Sequence, residues 1–431
     1  MHKNFLKNLK PKVRLKRFKA VKAINKSIIN KAAFVNENKK YNICSRCIMD
    51  TTDPEITFNK DNICNHCEYF DEFISSDLFN IEENRKKIND IVKKIKSYGK
   101  NKKYDCIIGL SGGVDSSYVA IKIAEWGLRP LVVHVDAGWN SELAVRNIEN
   151  ICKRLKFDLV THVVNWQDIK NLQLAFLRSG VANQDVPQDH AFFAALYHYA
   201  VKSNIKYVIS GGNLATESIL PTAWGYDAMD ATHIRYISKT FSKRKLNNFP
   251  IISFFSYFIK YPFLIKMKVI RPLDYIDYNK NKAIEILKKE FDWKYYGGKH
   301  YESHWTKFFQ GHFLPYKFGY DKRKAHLSSL ILSNQITRED ALKELAKPLY
   351  NEKNLIEDKE FIAKKLNISI SELYEYLNND CIDYSMYPNH QKKLKILKKI
   401  MKFFILIRSF IKRYINTIYH LIKDCIYTLK S

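Results

Sequence analysis

The chain has 431 residues, of which 46% are hydrophobic, enough for one sizeable α/β core with a small module, or for two domains. No apolar run approaches the ~18 residues of a membrane-spanning helix, and the Lys and Arg residues of 1–40 exclude the apolar core of a signal peptide. We therefore expect a cytoplasmic protein. Its eight cysteines agree with that compartment, because four form two C-x-x-C pairs and the others are scattered, unlike a disulfide framework.

The net charge of +28 is concentrated at the two ends of the chain. Residues 1–40 contain 13 Lys and Arg against one acidic residue, and residues 390–431 contain 11 against one. Such ends bind nucleic acid, an anionic membrane surface or an acidic partner, or they are solvated extensions. Charge alone leaves these alternatives open.

In chain order, a cysteine-rich segment follows the basic extension, and a helix is predicted over Ile81–Tyr98 because its apolar residues recur at helical spacing. Short apolar strands then alternate with helices, which predicts a parallel sheet with crossover helices. Ligands of such sheets bind at the carboxyl ends of the strands. The predicted strands are Tyr104–Leu110, Pro130–Val135, Leu159–Val164 and Tyr207–Ser210, and the predicted helices among them are Ser116–Trp126, Ser141–Leu155 and Ala191–Ser203.

The stretch Lys239–Lys268 interrupts this alternation, because it is basic and rich in aromatic residues. Helices dominate from about Asn279 onward, and Asp358–Asn378 is predicted to form two short helices around Asn367–Ser369. The last stretch, Lys392–Lys430, alternates apolar and basic residues. Both apolar and basic stretches are compatible with contact to an anionic membrane, with docking of a partner and with packing on the core.

The clearest chemical signal is the run L-S-G-G-V-D-S-S at 110–117, which follows a predicted strand and opens a predicted helix. Its two glycines allow a sharp turn and a close approach of the backbone to an anion. The N–H groups at the start of the helix, with the hydroxyls of Ser111, Ser116 and Ser117, suit a pyrophosphate group, and Asp115 suits the Mg²⁺ that accompanies ATP. The run differs from the G-x-x-x-x-G-K-[ST] loop of kinases and GTPases. A simple glycine turn is the alternative interpretation.

Cys44 and Cys47 form one C-x-x-C pair, and Cys64 and Cys67 form a second pair after sixteen intervening residues. Each pair turns two thiolates towards one point, and two such pairs complete a tetrahedron. This spacing predicts a structural zinc site. Four unrelated buried thiols are the alternative, and His66 is a spare ligand that the four cysteines make unnecessary.

Three further segments combine polar and aromatic residues: 180–190, 221–233 and 300–320. Such residues suit the binding of a sugar or a nucleotide, and they are equally common in ordinary cores. His300 and His304 are four residues apart in the last segment. Because no third ligand is evident, the pair favours packing or hydrogen bonding over metal binding.

No cysteine of the chain has the sequence context of a glutaminase nucleophile. Met1 is followed by His2 rather than by cysteine, and the glycine-flanked turn that exposes such a thiol is missing around Cys106, Cys152 and Cys381. If ammonia is a substrate, we expect it to come from a partner or from solution.

The S-G-G-V-D-S string resembles the pyrophosphate-binding loop (PP-loop) of the ATP-pyrophosphatase superfamily, which includes asparagine, GMP and NAD synthetases and several tRNA thiolases. Its members cleave ATP between the α and β phosphates and leave AMP on an oxygen. The resemblance implies catalytic roles for Ser111, Asp115 and Ser116. It also implies that ATP and Mg²⁺ contact Leu110, Ser111, Gly112, Gly113, Asp115, Ser116, His134, Asp136, Gly211, Gly212, Asn213 and Glu217.

A more specific resemblance lies in the order of the motifs: CSRCIMDTTDPEITF, the PP-loop, GGNLATES, WGYDAMDATHI and HYESHWTKFFQGHFLPYKFGYDKR. Over about Tyr41–Leu349 the chain resembles the N-acetyl sugar amidotransferases of bacterial lipopolysaccharide and flagellin-sugar biosynthesis. The resemblance implies that the N-acetyl oxygen of a free or nucleotide-linked sugar is adenylated by ATP and replaced by ammonia, giving an acetamidino sugar. It also implies two partners, a separate glutaminase and a cyclase-like subunit that conducts the ammonia.

We therefore predict an α/β fold with a parallel-sheet PP-loop core of the adenine-nucleotide α-hydrolase type, a small amino-terminal zinc ribbon and a helical C-terminal region. The predicted regions are a basic extension (1–40), the zinc ribbon (41–72), the ATP-binding core (73–238), an apolar and basic insertion (239–269), a substrate and closure region (270–388) and a basic amphipathic tail (389–431).

Two other functions remain as alternatives. A PP-loop tRNA thiolase would share the ribbon, the loop and the basic charge. However, most of the excess charge lies at the ends and no cysteine pair follows the loop, so we do not expect a nucleic-acid partner. The second alternative is a non-catalytic zinc-ribbon binding protein, and the intact Ser, Gly, Gly, Asp and Ser set of the loop argues against it.

Overall fold

The structure, a computed structural model, describes residues 40–297 and 301–403. Nearly all of the predicted basic extension, the tail beyond Phe403 and the histidine at position 300 lie outside the described residues.

A five-stranded sheet forms the centre of the described chain. Its strands are β1 (Cys106–Gly109), β2 (Pro130–Asp136), β3 (Asp158–Val163), β4 (Tyr207–Ile209) and β5 (Lys268–Ile270). They lie in the order β3-β2-β1-β4-β5, and every neighbouring pair is parallel. In this register Ile107 of β1 lies between Leu131 of β2 and Val208 of β4.

Helices connect the strands and continue after the last of them. Up to β5 they are α1 (Asn65–Phe73), α2 (Ser75–Phe79), α3 (Ile81–Gly99), α4 (Val114–Glu125), α5 (Glu142–Leu155), α6 (Trp166–Ser179), α7 (Val186–Lys202), α8 (Leu214–Glu217), α9 (Ala231–Phe241) and a π-helix, Ser256–Leu264. After β5 they are a 3-10 turn, Pro272–Asp274, α10 (Lys280–Phe291), α11 (His304–Phe308), a second π-helix, Phe309–Phe313, α12 (Leu314–Phe318), α13 (Lys322–Leu332), α14 (Arg338–Ala346), α15 (Glu352–Leu366), α16 (Ile370–Asn378), a 3-10 turn, Tyr384–Met386, and a helix described over 391–403. Among residues 40–297 and 301–403, no helix combines the length and the apolar character that a bilayer crossing requires.

The two faces of the sheet bury separate cores, because successive residues of a strand point to opposite sides. Ile107 belongs to a core shared with α6, α7 and α9, whereas Ile108 belongs to a core shared with α3, α4, α5 and α10. Helices on both faces explain why β1 and β2 are buried along almost their whole length, as in other parallel sheets.

The predicted fold class is confirmed: a parallel sheet with crossover helices, a four-cysteine cluster near the amino terminus and a helical C-terminal region. The four predicted strands and the helices among them are present, with ends shifted by up to five residues. The sequence did not predict α6 or β5. α6 buries the whole run Leu172–Leu177, so it has no exposed face there to reveal helical periodicity, and β5 begins inside the stretch interpreted as an insertion and crosses its end.

The cysteine-rich segment packs against α13 and α14, far along the chain. The N–H of Ile48 donates to Ser328 Oγ at 3.1 Å across 280 residues. Arg338 donates two hydrogen bonds of 3.0 Å, from Nε to the carbonyl oxygen of Cys47 and from Nη2 to that of Cys44. Because its partners are backbone oxygens of the first C-x-x-C pair, Arg338 fixes that turn to the helical region. Side chains from both parts form an apolar cluster of Ile48, Leu327, Leu330 and Ala341.

His312 lies in the second π-helix, buried beside Phe308 and Tyr316 at ring-centroid distances of 5.5 and 5.3 Å. Burial, with a smaller contribution from the charge of Lys359, lowers the pKa of His312 to about 3. The imidazole is therefore neutral in the folded protein at any pH above about 4, whereas in the unfolded chain it gains a proton below about pH 6.5.

We predict that His312→Leu makes the protein more resistant to acid. Between about pH 6.5 and pH 3 the unfolded chain binds a proton at this position that the folded protein does not bind. The free energy of unfolding therefore decreases as the pH is lowered, and His312 alone contributes a decrease on the order of 2 kcal/mol from pH 7 to pH 5. Urea unfolding at both pH values measures the difference. Tyr316→Phe is the matched control, because it alters the same packing but leaves the pH dependence unchanged. The prediction would be contradicted if the free energy of unfolding decreased equally from pH 7 to pH 5 in His312→Leu and in the parent protein.

Candidate functional site

The strand order opens a crevice between β1 and β4. From β1 the chain moves outward to β2 and β3, and it then returns to the other side of β1 for β4 and β5. The connections after β1 and β4 therefore leave the sheet in opposite directions, which creates a binding crevice at the carboxyl ends of these strands. A cavity of about 320 Å³ lies there, within the range of roughly 300–1,000 Å³ that is typical of small-ligand sites.

The turn after β1 depends on Gly112. Its φ is +80°, and a Cβ there would lie 2.6 Å from the carbonyl oxygen of Ala144 in α5, so any other residue is strained. Hydroxyls hold the turn: Ser111 Oγ accepts from the N–H of Gly113 at 3.2 Å and lies 3.2 Å from Ser116 Oγ. α4 then begins with Gly113 as its N-cap and without a side-chain cap. Its amino end therefore presents backbone N–H groups and a positive dipole to the cavity, which favours an anion.

The turn after β4 packs directly against the start of α4. A Cβ on Gly211 would lie 2.9 Å from the backbone nitrogen of Ser116, so glycine permits the close approach of the two turns. Asn213 caps α8, because its Oδ1 accepts from the N–H of Thr216 at 2.9 Å. The last residue of α8, Glu217, lines the cavity.

Residues 293–296 cover part of the loop and contact its backbone. Trp293 Nε1 donates to the carbonyl oxygen of Gly112 at 2.9 Å, and the N–H of Val114 donates to Tyr296 Oη at 3.3 Å. Asn147 of α5 makes two hydrogen bonds of 2.9 Å with the backbone of Lys294. The loop is thus held by residues that follow it by more than 180 positions.

Glu302 reaches the loop through backbone pairing. The N–H of Ser141 donates to the carbonyl oxygen of Glu302 at 2.8 Å, and the N–H of His304 donates to that of Trp139 at 2.9 Å. These bonds attach the segment to the residues after β2. A Cβ on Gly113 would lie 3.2 Å from Glu302 Oε1, so this carboxylate lies directly against the loop.

Three carboxylates and one amine line the cavity: Asp115, Glu217, Glu302 and Lys280. The hydroxyl of Tyr278 donates to Asp115 Oδ1 and orients that carboxylate. Burial, and next the negative charge of Asp115, raises the pKa of Tyr278 far above its usual value, and burial with Glu302 does the same for the pKa of Tyr296. Both phenols therefore stay protonated at neutral pH. Several carboxylates beside an anion-binding loop suit a divalent cation such as Mg²⁺.

The predicted nucleotide residues divide into two groups. The residues that line the cavity are Ser111, Gly113, Asp115, Ser116, Gly211, Gly212 and Glu217. The cavity wall does not include Leu110, Gly112, His134, Asp136 or Asn213. His134 Nδ1 lies 3.2 Å from the carbonyl oxygen of Leu110, and its Nε2 lies 3.2 Å from Asn140 Nδ2, so this buried histidine supports the base of the loop.

Several residues of the site were not predicted. They flank α10 or begin it: Tyr278, Lys280, Trp293, Tyr295 and Tyr296. Their only signal in the sequence is a cluster of aromatic residues with no recognised motif. Glu302 falls in a segment chosen for its polar and aromatic residues, but no individual role was predicted for it.

The three polar and aromatic segments chosen from the sequence meet in space. Asn183 Nδ2 donates to the carbonyl oxygen of Tyr226 at 3.2 Å, which joins the first segment to the second. Thr306 Oγ1 donates to Asp185 Oδ1 at 3.1 Å, which joins the third to the first. His304 does not have its predicted neighbour among the described residues, and its Nδ1 lies 3.9 Å from Asp358 Oδ1. Many polar groups of these segments therefore hold the segments to each other.

The four paired cysteines converge, as their spacing predicts. Their sulfur atoms all lie within 4.8 Å of one another and are fully buried. The Sγ–Sγ distances are 3.8 Å for Cys44–Cys67, 3.6 Å for Cys47–Cys64 and 3.7 Å for Cys64–Cys67. Sulfurs at ~2.3 Å from a tetrahedral zinc ion are about 3.8 Å apart, so the four thiols fit such an ion. The spare ligand His66 instead contacts Asp53 Oδ2 through Nε2 at 2.7 Å.

Residues 302–401 match the family described as "LPS biosynthesis protein WbpG-like, C-terminal domain". The match covers about a quarter of the chain, and the matched region is called the WbpG-like domain below. It contains Glu302, and it contains the helices α13 and α14 against which the cysteine cluster packs. No curated protein matches the chain.

The solved structures that match the chain include two synthetases and a tRNA thiolase. The NH3-dependent NAD synthetase of Campylobacter jejuni is 18% identical, with 36% of this chain and 72% of that chain covered and a TM-score of 0.26. The NMN synthetase of Francisella tularensis is 16% identical, with 70% and 98% covered and a TM-score of 0.29. The U34-tRNA thiolase NcsA of Methanococcus maripaludis is 14% identical, with 68% and 82% covered and a TM-score of 0.27. Similarities this distant transfer no activity to this chain.

We predict that Gly112→Ala destabilises the protein by at least ~2 kcal/mol, because the positive φ costs about 1–2 kcal/mol and the Cβ meets a backbone carbonyl. Urea unfolding measures the change. Two control variants separate the causes: Gly297→Ala has a positive φ in open space, and Gly225→Ala has ordinary φ and its nearest contact at 3.9 Å. The expected order of destabilisation is Gly112→Ala, then Gly297→Ala, then Gly225→Ala. Equal effects in the first two would show that the contact with Ala144 is unimportant.

We predict that the purified chain carries one tightly bound zinc ion, measured by inductively coupled plasma mass spectrometry. Cys47→Ser should lose most of the metal, because a neutral hydroxyl replaces one of the four thiolate ligands. Cys381→Ser is the control, because Cys381 lies outside the cluster, and it should retain the parent content. Iron in place of zinc, recognised by its absorption spectrum, or a full metal content in Cys47→Ser would contradict the prediction.

Proposed function

We propose that the chain is an ATP-dependent N-acetyl sugar amidotransferase that acts in the biosynthesis of a surface polysaccharide or flagellin glycan. The observation that carries the proposal is a shared cavity. The PP-loop after β1 forms one wall, and Glu302, which belongs to the WbpG-like domain, lies against that loop. A lipopolysaccharide-biosynthesis domain and an anion-binding loop thus contribute to the same site.

The proposed reaction exchanges the oxygen of an acetamido group for nitrogen. The acetamido oxygen attacks the α-phosphorus of ATP, the bond to the β-phosphate breaks, and pyrophosphate leaves. Ammonia then adds to the activated carbon, and AMP departs with the former acetamido oxygen and leaves an acetamidino group. An amide oxygen is a poor leaving group and AMP is a good one, so adenylation makes the exchange feasible.

The residues of the cavity suit the first step. The hydroxyls of Ser111 and Ser116 and the N–H groups at the start of α4 would bind the departing pyrophosphate. Asp115 and Glu217 would hold Mg²⁺, which when bound neutralises part of the phosphate charge. The cover formed by 293–296 limits the access of water, which would otherwise hydrolyse an adenylated sugar. The three joined segments around 180–190, 221–233 and 300–320 are the proposed sugar-binding region.

We further propose that ammonia comes from a separate glutaminase through a cyclase-like subunit. A nucleophilic cysteine must be accessible and ionised. Cys106 and Cys152 are buried, and burial raises the pKa of both thiols, to about 11 for Cys152. These two residues are therefore unsuited to release ammonia from glutamine. We propose a structural role for zinc in the cysteine cluster, because all four cysteines are buried and none of them lines the cavity.

The deciding experiment incubates the full chain with ATP, Mg²⁺, ammonium and a panel of N-acetylated sugars and nucleotide sugars, and follows all products by mass spectrometry. We expect AMP, pyrophosphate and a sugar in which one oxygen has become NH. AMP formation that requires tRNA and ignores every sugar would replace the proposal with a tRNA-modifying activity. Hydrolysis of ATP to ADP would contradict cleavage between the α and β phosphates.

We predict that Asp115→Asn lowers AMP formation by at least about 100-fold, because the variant loses the carboxylate charge beside the phosphates but keeps the side-chain size. Asp90→Asn is the matched control, since Asp90 is an exposed residue of α3, and its rate should equal that of the parent protein. Thermal unfolding verifies that both variants are folded. A full rate in Asp115→Asn would exclude the proposed role of this carboxylate.

A further inference from the structure

Two apolar and basic stretches that are far apart in sequence meet at one place in the fold. The rings of Phe254 and Phe258 lie 5.7 and 5.5 Å from the ring of His390, which immediately precedes the helix 391–403. His390 is itself fixed, because its Nε2 lies 3.0 Å from Asp227 Oδ2 and its N–H donates to Asp230 Oδ2 at 2.8 Å. The start of the helix is therefore held beside the first π-helix.

Both stretches expose large apolar side chains. In the first π-helix Phe263 is 51% exposed and Leu264 66%, and in the helix 391–403 Ile396 is 58% exposed and Ile400 47%. Isolated exposed apolar residues are common on proteins, but clusters of them mark interaction sites. Two such clusters on adjoining elements therefore indicate a surface that binds something.

The helix 391–403 is amphipathic. At 100° per residue, its apolar residues occupy one half of the helix and its lysines occupy the other. The apolar half contains Leu394, Ile396, Leu397, Ile400, Met401 and Phe403, interrupted only by Lys393. The basic half contains Lys392, Lys395, Lys398, Lys399 and Lys402. This pattern is typical of helices that lie in the plane of a membrane interface.

The charge of the surface selects its partner. Residues 231–273 contain nine Lys and Arg, residues 384–403 contain six Lys, and neither stretch contains Asp or Glu. Positive charge around exposed apolar rings and branched side chains matches an anionic bilayer, where each Lys or Arg near the surface contributes about 1 kcal/mol. The neighbouring Asp227 carboxylate is paired with His390, and a protein partner would have to present a complementary acidic surface.

We propose that the first π-helix and the helix 391–403 together form a membrane-binding surface for anionic lipids. The apolar side chains enter the boundary between headgroups and acyl chains, and the lysines contact the phosphates. The proposal does not depend on the proposed enzymatic activity, so either of them can fail alone.

The test is co-sedimentation of the full chain with vesicles of phosphatidylcholine, with or without a third of phosphatidylglycerol. We expect binding only to the anionic vesicles, and at least about tenfold weaker binding at 0.5 M than at 0.1 M KCl, because salt screens exposed charges. Ile396→Glu/Ile400→Glu should weaken binding by more than about tenfold, because it removes apolar contact and adds two negative charges beside the lysines. Phe263→Glu, in the other stretch, should weaken it similarly.

Ile356→Glu is the matched control, because Ile356 is equally exposed on α15 but lies outside both stretches, and it should bind as the parent protein does. Thermal unfolding shows whether each variant is folded. Unchanged binding in folded Ile396→Glu/Ile400→Glu, equal binding to neutral vesicles, or no binding to either kind would overturn the proposal. If the chain ignores vesicles but forms a dimer that the double variant abolishes, the surface is an interface between copies and the proposal is wrong.

Discussion

The site depends on the close contact between the turn after β1 and the elements around it. Gly112 adopts a positive φ against the backbone of Ala144, and Gly211 approaches the backbone of Ser116 from the other side. Neither contact tolerates a Cβ. Together they fix the position of the first turn of α4, and the direction of that turn decides where its N–H groups and the carboxylate of Asp115 point.

The WbpG-like domain packs against the preceding described part of the chain, residues 40–297. Segment 302–304 pairs with the backbone after β2, and α13 and α14 hold the first C-x-x-C pair through Arg338 and the apolar cluster around Ile48. The four-cysteine cluster therefore supports the same domain that contributes Glu302 to the cavity. A structural metal in this position would stabilise the site indirectly, because it would fix the surface against which that domain packs.

Positive charge and exposed apolar surface lie on a different part of the molecule from the cavity. The cavity has three carboxylates on its wall, whereas Lys and Arg are the charged residues of the stretches 231–273 and 384–403. This separation would allow the proposed binding of an anionic surface to leave the cavity open to small molecules, because the two sets of residues do not overlap.

The sequence by itself determined the local features. Periodicity and apolar runs predicted β1 to β4 and most helices, the L-S-G-G-V-D-S-S run predicted the turn and helix start at the crevice, and the spacing of Cys44, Cys47, Cys64 and Cys67 predicted the four-cysteine cluster. Each depends on residues close in sequence, where geometry follows from short-range rules. Only the tertiary structure decided the roles of Tyr278, Trp293, Tyr296 and Glu302, and the supporting positions of His134 and Asn213. The roles of these residues depend on packing between segments more than a hundred residues apart, or on which side of a buried segment faces the crevice. A local sequence pattern predicts neither of these properties.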